Sequence, residues 1–444
     1  MSGTMKFTDS PEQAAVIQAP SYEDVVVVAG AGSGKTYTMT RRIITLIEQG
    51  VSPEKILGLT FTRKAASELL SRVSAAVSRN QRERGLKSAN MTFLKPEVST
   101  YDAFFQSIVR QYGLLVGFDQ NTQPLSEAGA LQLIHTVLDK HMVDLMAFDG
   151  DLKSFNTIAG NVFALSNAIS GAMIGSGCTS FDEAVQRVRD WDEAFIRQVD
   201  KALDGETVPT EQPKSPKPPK RLKKDSDADY EKKLEKYREL GHSMCVFNST
   251  RLASVAKQRN LLLDLVLDYH AEKQACNMAE FSDFTIAAFQ LVSRFPSIGA
   301  TYRKRYSHVL LDEYQDTSTT QAALLSALFH ADDMHRSAVN AVGDPFQSIY
   351  AWRGASPGAF RMLQHDFGMD ANRKPFALTV TRRNSRMVLE AANNLTKPLR
   401  LPARRLSSSL MREVDVPALA NIEEAPEGTI GVLGFATFGQ EVDA

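Results

Sequence analysis

Cysteine is scarce in this chain: there are three in 444 residues, Cys178, Cys245 and Cys276, far apart and with no C-x-x-C pair. That argues against a disulfide framework and against a zinc centre, and it fits a reducing compartment. Net charge is nearly absent too, 51 Lys and Arg against 52 Asp and Glu, so bulk charge selects no partner and any claim for DNA has to come from motifs. No apolar run approaches a membrane span, and the opening MSGTMKFTDS lacks the apolar core of a signal peptide. A cytoplasmic protein with no membrane partner is expected. Apolar residues, by contrast, are plentiful at 43%, enough for sizeable cores, and the length corresponds to about three domains.

Against that background one stretch organises the rest, VVVVAGAGSGKT over residues 25–36. Four consecutive β-branched residues read as a buried strand, and the Gly-rich turn after them delivers Lys35 and Thr36 to an apolar-periodic helix over 37–49. Strand, turn and helix in that order form a phosphate cradle. Residues Ala29, Gly30, Ala31, Gly32, Ser33 and Gly34 let backbone N–H groups converge on an anion, and the helix N-terminus adds positive potential. Lys35 would reach the terminal phosphates and Thr36 would offer its hydroxyl to Mg²⁺, with ATP the expected ligand. Ala29 stands where the strict pattern has Gly, and a small residue at a strand end still permits the turn. Just upstream, Ser10-Pro11-Glu12-Gln13 reads as a helix start. Gln13 either closes a capping box or reads the adenine edge through its adjacent donor and acceptor, and both roles stand open.

Downstream the pattern repeats. Residues 56–62 read as a strand that feeds an amphipathic helix, with Phe61 at the strand end, either core or facing a ligand. Residues 97–105 form a third unit, in which Ser99 or Thr100 meets a backbone phosphate or starts a turn. Alternating strands and helices imply a parallel α/β sheet. From about 126 to 279 the texture becomes long amphipathic helices, an inserted helical domain. Within it, residues 205–224 interleave Pro209, Pro213, Pro216, Pro218 and Pro219 with Lys214, Lys217, Lys220, Arg221, Lys223 and Lys224. That run reads as a solvated, mobile linker in preference to a phosphate-tracking arm.

The sheet pattern returns at 307–311 and ends in Asp312-Glu313, carboxylates suited to holding Mg²⁺ and polarising an attacking water, or else a pair of solvated acids opening a helix from Ser318. A strand over 338–342 runs into GDPFQSIYAWRGA, where Gln347 could sense a terminal phosphate. There Tyr350 and Trp352, beside Arg353, either stack on bases or pack between domains. A further strand over 376–380 precedes Arg382 and Arg383, which are surface charge or complete a phosphate site from a second domain. One more strand is expected over 429–435.

AGAGSGKT, LTFTRKAA, LLDEYQDTS and GDPFQSIYAWRGA, in this order and spacing, resemble the UvrD/Rep-type superfamily 1 DNA helicases. The resemblance covers Ser10 to about Gly113 and resumes near Glu280, where Glu280-Phe281-Ser282-Asp283 is similar to a short acidic motif of the family. It implies an ATP-dependent helicase or translocase moving 3′ to 5′ on single-stranded or partly duplex DNA, in repair or recombination, with unidentified nuclease or repair partners. By the same resemblance Gln13 reads adenine, Lys35, Thr36 and Asp312 hold phosphate and Mg²⁺, and Glu313 activates water. Gln347 senses the γ-phosphate, Arg383 comes from the second motor domain, and Phe61, Tyr350, Trp352 and Arg353 line the DNA path. Arg382 replaces an aromatic ring that stacks on adenine in many members. Asp102 replaces a His, as in the helicase subunits of RecBCD and AddAB-type helicase-nucleases. The implied fold is a P-loop, RecA-like parallel sheet in two parts, 1–120 and 280–370, around a helical insert over 121–279, with an incomplete second RecA-like domain over 371–444. The family's later motifs lie past that point, so this chain alone is expected to be weakly active, or a non-catalytic DNA-binding module.

Overall fold

A strand buried on both faces needs a nearly continuous apolar run, and four segments supply one: Val25–Ala29, Ile56–Thr60, His308–Leu311 and Ala338–Gly343, each buried along its length. With Glu97–Thr100 and Phe376–Leu378 they form a six-stranded parallel sheet in the order 97–100, 56–60, 308–311, 338–343, 25–29, 376–378. The structure is a computed structural model that describes residues 9–83, 95–147, 154–173, 177–222, 226–331, 335–351, 354–356, 358–370, 372–400, 416–431, 434, 436, 437 and 439. Residues 9–120 together with 281 onward make one unit, and 121–280 another.

In the first unit, Val25, Val27, Ala29, Ile56, Leu310, Val342 and Leu378 share a core with Met39, Ile43 and Leu46 of the helix Lys35–Glu48 and with Leu69 and Val73 of Arg63–Glu83. A ring cluster ties the helices Tyr101–Tyr112, Pro296–Arg305 and Thr319–Phe329 together: Phe104 meets Tyr302 edge-on at 5.6 Å and stacks on Phe329 at 6.2 Å. Because every sheet strand is parallel, all their C-terminal ends lie along one edge, and the loops leaving that edge carry the candidate chemistry.

Two expectations are corrected here. Phe376–Leu378 does not open a second sheet; it is the edge strand beside Val25–Ala29, with Val27 in register with Phe376. Apolarity marks a strand but not the sheet it joins, and the open edge of the buried Val25–Ala29 strand requires a partner. Val380–Thr381 then pairs with Ala420–Asn421 in a separate ribbon. The strand expected over 429–435 is absent at residues 429–431 and 434, while 432, 433 and 435 lie outside the described residues. Gly428, Gly431 and Gly434 leave that segment few side chains to pack.

The 121–280 unit is helical: Glu127–Lys140, Met142–Ala147, Phe155–Ala172, Phe181–Ala202 and the 49-residue Asp227–Ala275. Ile134, Val137, Leu138, Val162, Leu263, Val266 and Tyr269 are buried within it. Its two ends lie side by side, Gln123–Pro124 pairing in parallel with Met278–Ala279. Cys178 is buried, and Cys245 and Cys276 are exposed. No helix among the described residues is long and apolar enough to cross a membrane.

Candidate functional site

The strand Val25–Ala29 ends in a turn that only glycine can make at two points. Gly34, at φ 89, caps the helix Lys35–Glu48, and Gly32, at φ 76, lies so close to the segment after Leu378 that a Cβ there would sit 2.5 Å from the Thr381 hydroxyl and the Arg383 Cβ. Ser33 closes the loop on itself, its hydroxyl donating to the Gly30 carbonyl at 2.8 Å. Lys35 and Thr36 open the helix, where its unpaired N–H groups and dipole favour an anion.

Lys35 Nζ lies 3.6 Å from Oε2 of Glu313, a residue that follows the strand His308–Leu311, two places along the sheet from Val25–Ala29. Asp312 follows Leu311 directly, and its N–H donates to the Leu59 carbonyl at 2.9 Å while its own carbonyl accepts from the Tyr101 hydroxyl at 3.0 Å. Those bonds fix the backbone, and Glu313 then takes a left-handed conformation, φ 49, rare for a residue with a Cβ. Asp312 is enclosed by protein; burial, helped by the neighbouring Glu313 charge, pushes its carboxyl up to about 6. Asp316 is driven up to about 6 by the same two causes.

Gln315, which lies within the LLDEYQDTS motif but has no role assigned from sequence, joins this strand end to the next. Its amide donates to Glu313 Oε2 at 2.9 Å and to Asp316 Oδ2 at 3.3 Å, and its carbonyl accepts from the Asp344 N–H at 3.0 Å. Gly343 makes room for it, since a Cβ there would lie 2.2 Å from Gln315 Oε1. Gln347 donates to Asp344 Oδ2 at 2.7 Å, so it belongs to the same network.

Gln13 does both of the things its amide permits, but toward protein. Its carbonyl accepts from the Ser10 N–H at 3.0 Å, completing the capping box, and its NH₂ donates to the Ser33 carbonyl of the phosphate loop at 3.1 Å. Thr100 caps the helix Tyr101–Tyr112 through the Ala103 N–H, and Asp102 accepts from Gln321 at 3.5 Å.

The arginine segment sits on the loop itself. Thr381, fully buried, donates from its hydroxyl to the Ala31 carbonyl at 2.8 Å, and the Arg382 N–H donates to the Gly32 carbonyl at 3.0 Å. Arg382 and Arg383 are both exposed. The family resemblance implies a second motor domain for these two arginines; the structure joins them to the phosphate loop through the edge strand that precedes them. Thr381 and Tyr37 are additions to the site. Tyr37, on the first turn of the helix Lys35–Glu48, donates to Asp9 Oδ1 at 2.6 Å, and burial together with that bond raises its pKa against the smaller opposing charges of Arg41 and Arg382. No local sequence pattern marks either residue.

Phe61 and Tyr350, from different strand ends, stack with centroids 5.0 Å apart and planes 28° apart. Trp352 and Arg353 lie outside the described residues. Among the described residues no three His, Cys, Asp or Glu side chains gather as a metal site.

The family model of the UvrD/REP helicase N-terminal domain matches residues 9–368. The chain is similar to a probable DNA helicase II homolog of Mycoplasma capricolum, 23% identical over 374 residues, 84% of this chain and 39% of that protein. It is also similar to an ATP-dependent helicase/nuclease subunit of Staphylococcus haemolyticus, 24% identical over 464 residues, 84% of this chain and 38% of that one. The ATP-dependent helicase/nuclease protein of the same name in Streptococcus sanguinis is 24% identical over 477 residues, with shares of 85% and 38%. The chain thus spans about two fifths of the length of these relatives.

Proposed function

The chain belongs to the UvrD/REP helicase family, and from that premise we propose that its strand-end site hydrolyses ATP to drive movement along single-stranded DNA, 3′ to 5′, in a cytoplasmic repair or recombination process. The observation that carries this reading is the approach of Lys35 to Glu313 at 3.6 Å beside the enclosed Asp312. Phosphates entering the loop would take Lys35 as counter-ion and free Glu313 to polarise water; catalysis of this kind is mostly positioning and electrostatics.

Mg²⁺ would be held by Thr36 and Asp312. The fit is chemical: a buried carboxyl raised to about 6 beside a second negative charge is a group that a cation relieves. When bound, the ion neutralises charge on the phosphate oxygens. Gln347 reports on the terminal phosphate through Asp344 and Gln315, and Arg383 supplies positive charge from the segment hydrogen-bonded to the loop. Adenine lies toward Gln13, Tyr37 and Arg382. The stacked Phe61 and Tyr350, with Trp352 and Arg353, contact the strand, each stacked base contributing about 1–3 kcal/mol.

In a protein that also carries the family's later motifs, ATPase activity stimulated by single-stranded DNA is expected, and Lys35→Ala and Glu313→Gln should each reduce it by about 100-fold or more. Unchanged turnover in both variants would overturn the site. Asp102, together with relatives named as helicase/nuclease subunits, favours a second reading, in which the protein works with a nuclease partner. Nuclease activity that copurifies with the native protein would support it, and its absence would leave the helicase reading to stand alone.

A further inference from the structure

The Pro/Lys run between the two long helices of the 121–280 unit has no part in the strand-end site. Residues 206–222 form neither helix nor strand, yet their exposure is ordered. Pro213, Pro216 and Pro219 are half-buried, and Lys214, Lys217 and Lys220, each one residue later, are exposed. A three-residue repeat is the period of a polyproline II helix, and proline fixes φ in its range. Successive rows on such a helix face different directions, so the prolines form one row and the lysines another.

Both ends of the run are tied to the helix Asp227–Ala275. Glu206 Oε2 lies 3.0 Å from His242 Nε2, and at the other end the Arg221 guanidinium meets the Asp227 carboxylate and lies 5.5 Å from the centre of the Tyr230 ring. Arg221 therefore serves as an anchor. Lys214, Lys217 and Lys220 form no ion pair with a carboxylate among the described residues, and no Asp or Glu occurs from 212 through 222. The row of like charges is tethered at both ends, and the polyproline II rise that its period implies spaces the lysines about 9 Å apart.

We propose that this row is a binding edge for the sugar-phosphate backbone of DNA, read through charge and without regard to base sequence. The proposal rests on the helicase reading for the identity of the polyanion. Each ammonium group is a point charge on a flexible stem that can reach a backbone phosphate, and the prolines have already restricted the chain, so little backbone entropy is lost on contact. The competing occupant, a partner protein's proline-binding groove, would need the proline edges free, whereas Pro213, Pro216 and Pro219 are the half-buried row.

The test is a salt titration of DNA affinity for the 444-residue chain and for its K214S/K217S/K220S variant, on single-stranded and on duplex DNA. Neutralising three contacts should lower the slope of log affinity against log salt by about 3 on duplex or about 2 on single strand. Between about 50 and 200 mM salt the parent should then lose about 40-fold more affinity than the variant on duplex, or about 20-fold more on single strand. The substrate on which the slope changes identifies the strand form held, and K214R/K217R/K220R should keep the parent slope. An unchanged slope on both substrates overturns the proposal while leaving the helicase reading intact. A parent chain that binds neither substrate overturns both. The lysines are exposed, so retained helical circular dichroism will confirm that the variant is folded.

Discussion

Burial sets the ionisation of single side chains in this protein, and His308 allows a clean measurement. Its Nε2 lies 3.1 Å from the Ser21 carbonyl, to which it donates, and its Nδ1 lies 2.9 Å from the Ser307 hydroxyl, which donates to it when the ring is neutral. Desolvation lowers its pKa, and the nearby Arg42 charge adds to that. With the native value below the unfolded one, the unfolded chain takes up the proton first as pH falls. The associated stability is therefore present above pH about 6.5 and lost progressively below it. Urea unfolding midpoints should fall more steeply from about pH 7.5 to 5.5 in the parent than in His308→Gln; parallel slopes would contradict this. Lys35, Asp312 and Glu313 were legible as types in a motif. The left-handed backbone of Glu313 has no signature in the motif, and the bond from the Asp344 N–H to Gln315 arises only from the approach of strands distant in sequence.

At the scale of elements, helix starts were readable wherever the cap is local. Ser10 and Ser318 each form a capping box with the Gln three residues on, as their spacing implies. The C-terminal end of the longest helix is held by something less local. Lys273 and Glu280 pair at 2.8 Å, both nearly inaccessible, with Lys273 also 5.0 Å from the Tyr269 ring centre. Breaking such a pair on one side strands a buried charge, whereas replacing both partners with apolar groups removes the problem. Lys273→Met should cost about 3–5 kcal/mol in urea unfolding, and the double variant Lys273→Met/Glu280→Leu should recover most of it. A double variant no better than the single one would show that the pair contributes through contacts other than its charges. The edge strand Phe376–Leu378 was legible as a strand and misassigned to a sheet, since hydrophobic pattern carries period and burial but not pairing.

For the molecule as a whole, the insert behaves as a unit with its own core and with its two ends joined by the 123–124 and 278–279 strands. Residues 121–280 expressed alone should be helical and unfold in one cooperative transition, followed by circular dichroism in urea. A broad, non-cooperative loss of signal would mean that the core needs the rest of the chain. The sequence change near residue 126 signalled this division, because amphipathic helical periodicity and the run pattern of buried parallel strands are local properties.

The amino-acid sequence by itself determined the fold class and put the glycine turn of residues 30–34 and the Asp312-Glu313 pair at strand ends, since each depends on patterns carried within short stretches of chain. Only the tertiary structure decided that Arg382 and Arg383 follow an edge strand of the first sheet, with Thr381 hydrogen-bonded to the loop. It also decided that Gln13 spends its amide on Ser10 and Ser33, and that the lysines after Pro213 form an outward row. The reason is physical. Strand pairing and buried hydrogen bonds satisfy groups brought together from opposite ends of the chain, and no short stretch records which partner will be there. What began as a phosphate-binding stretch over residues 25–36 is, in the folded chain, a loop clasped on one side by Gln13 and on the other by Thr381.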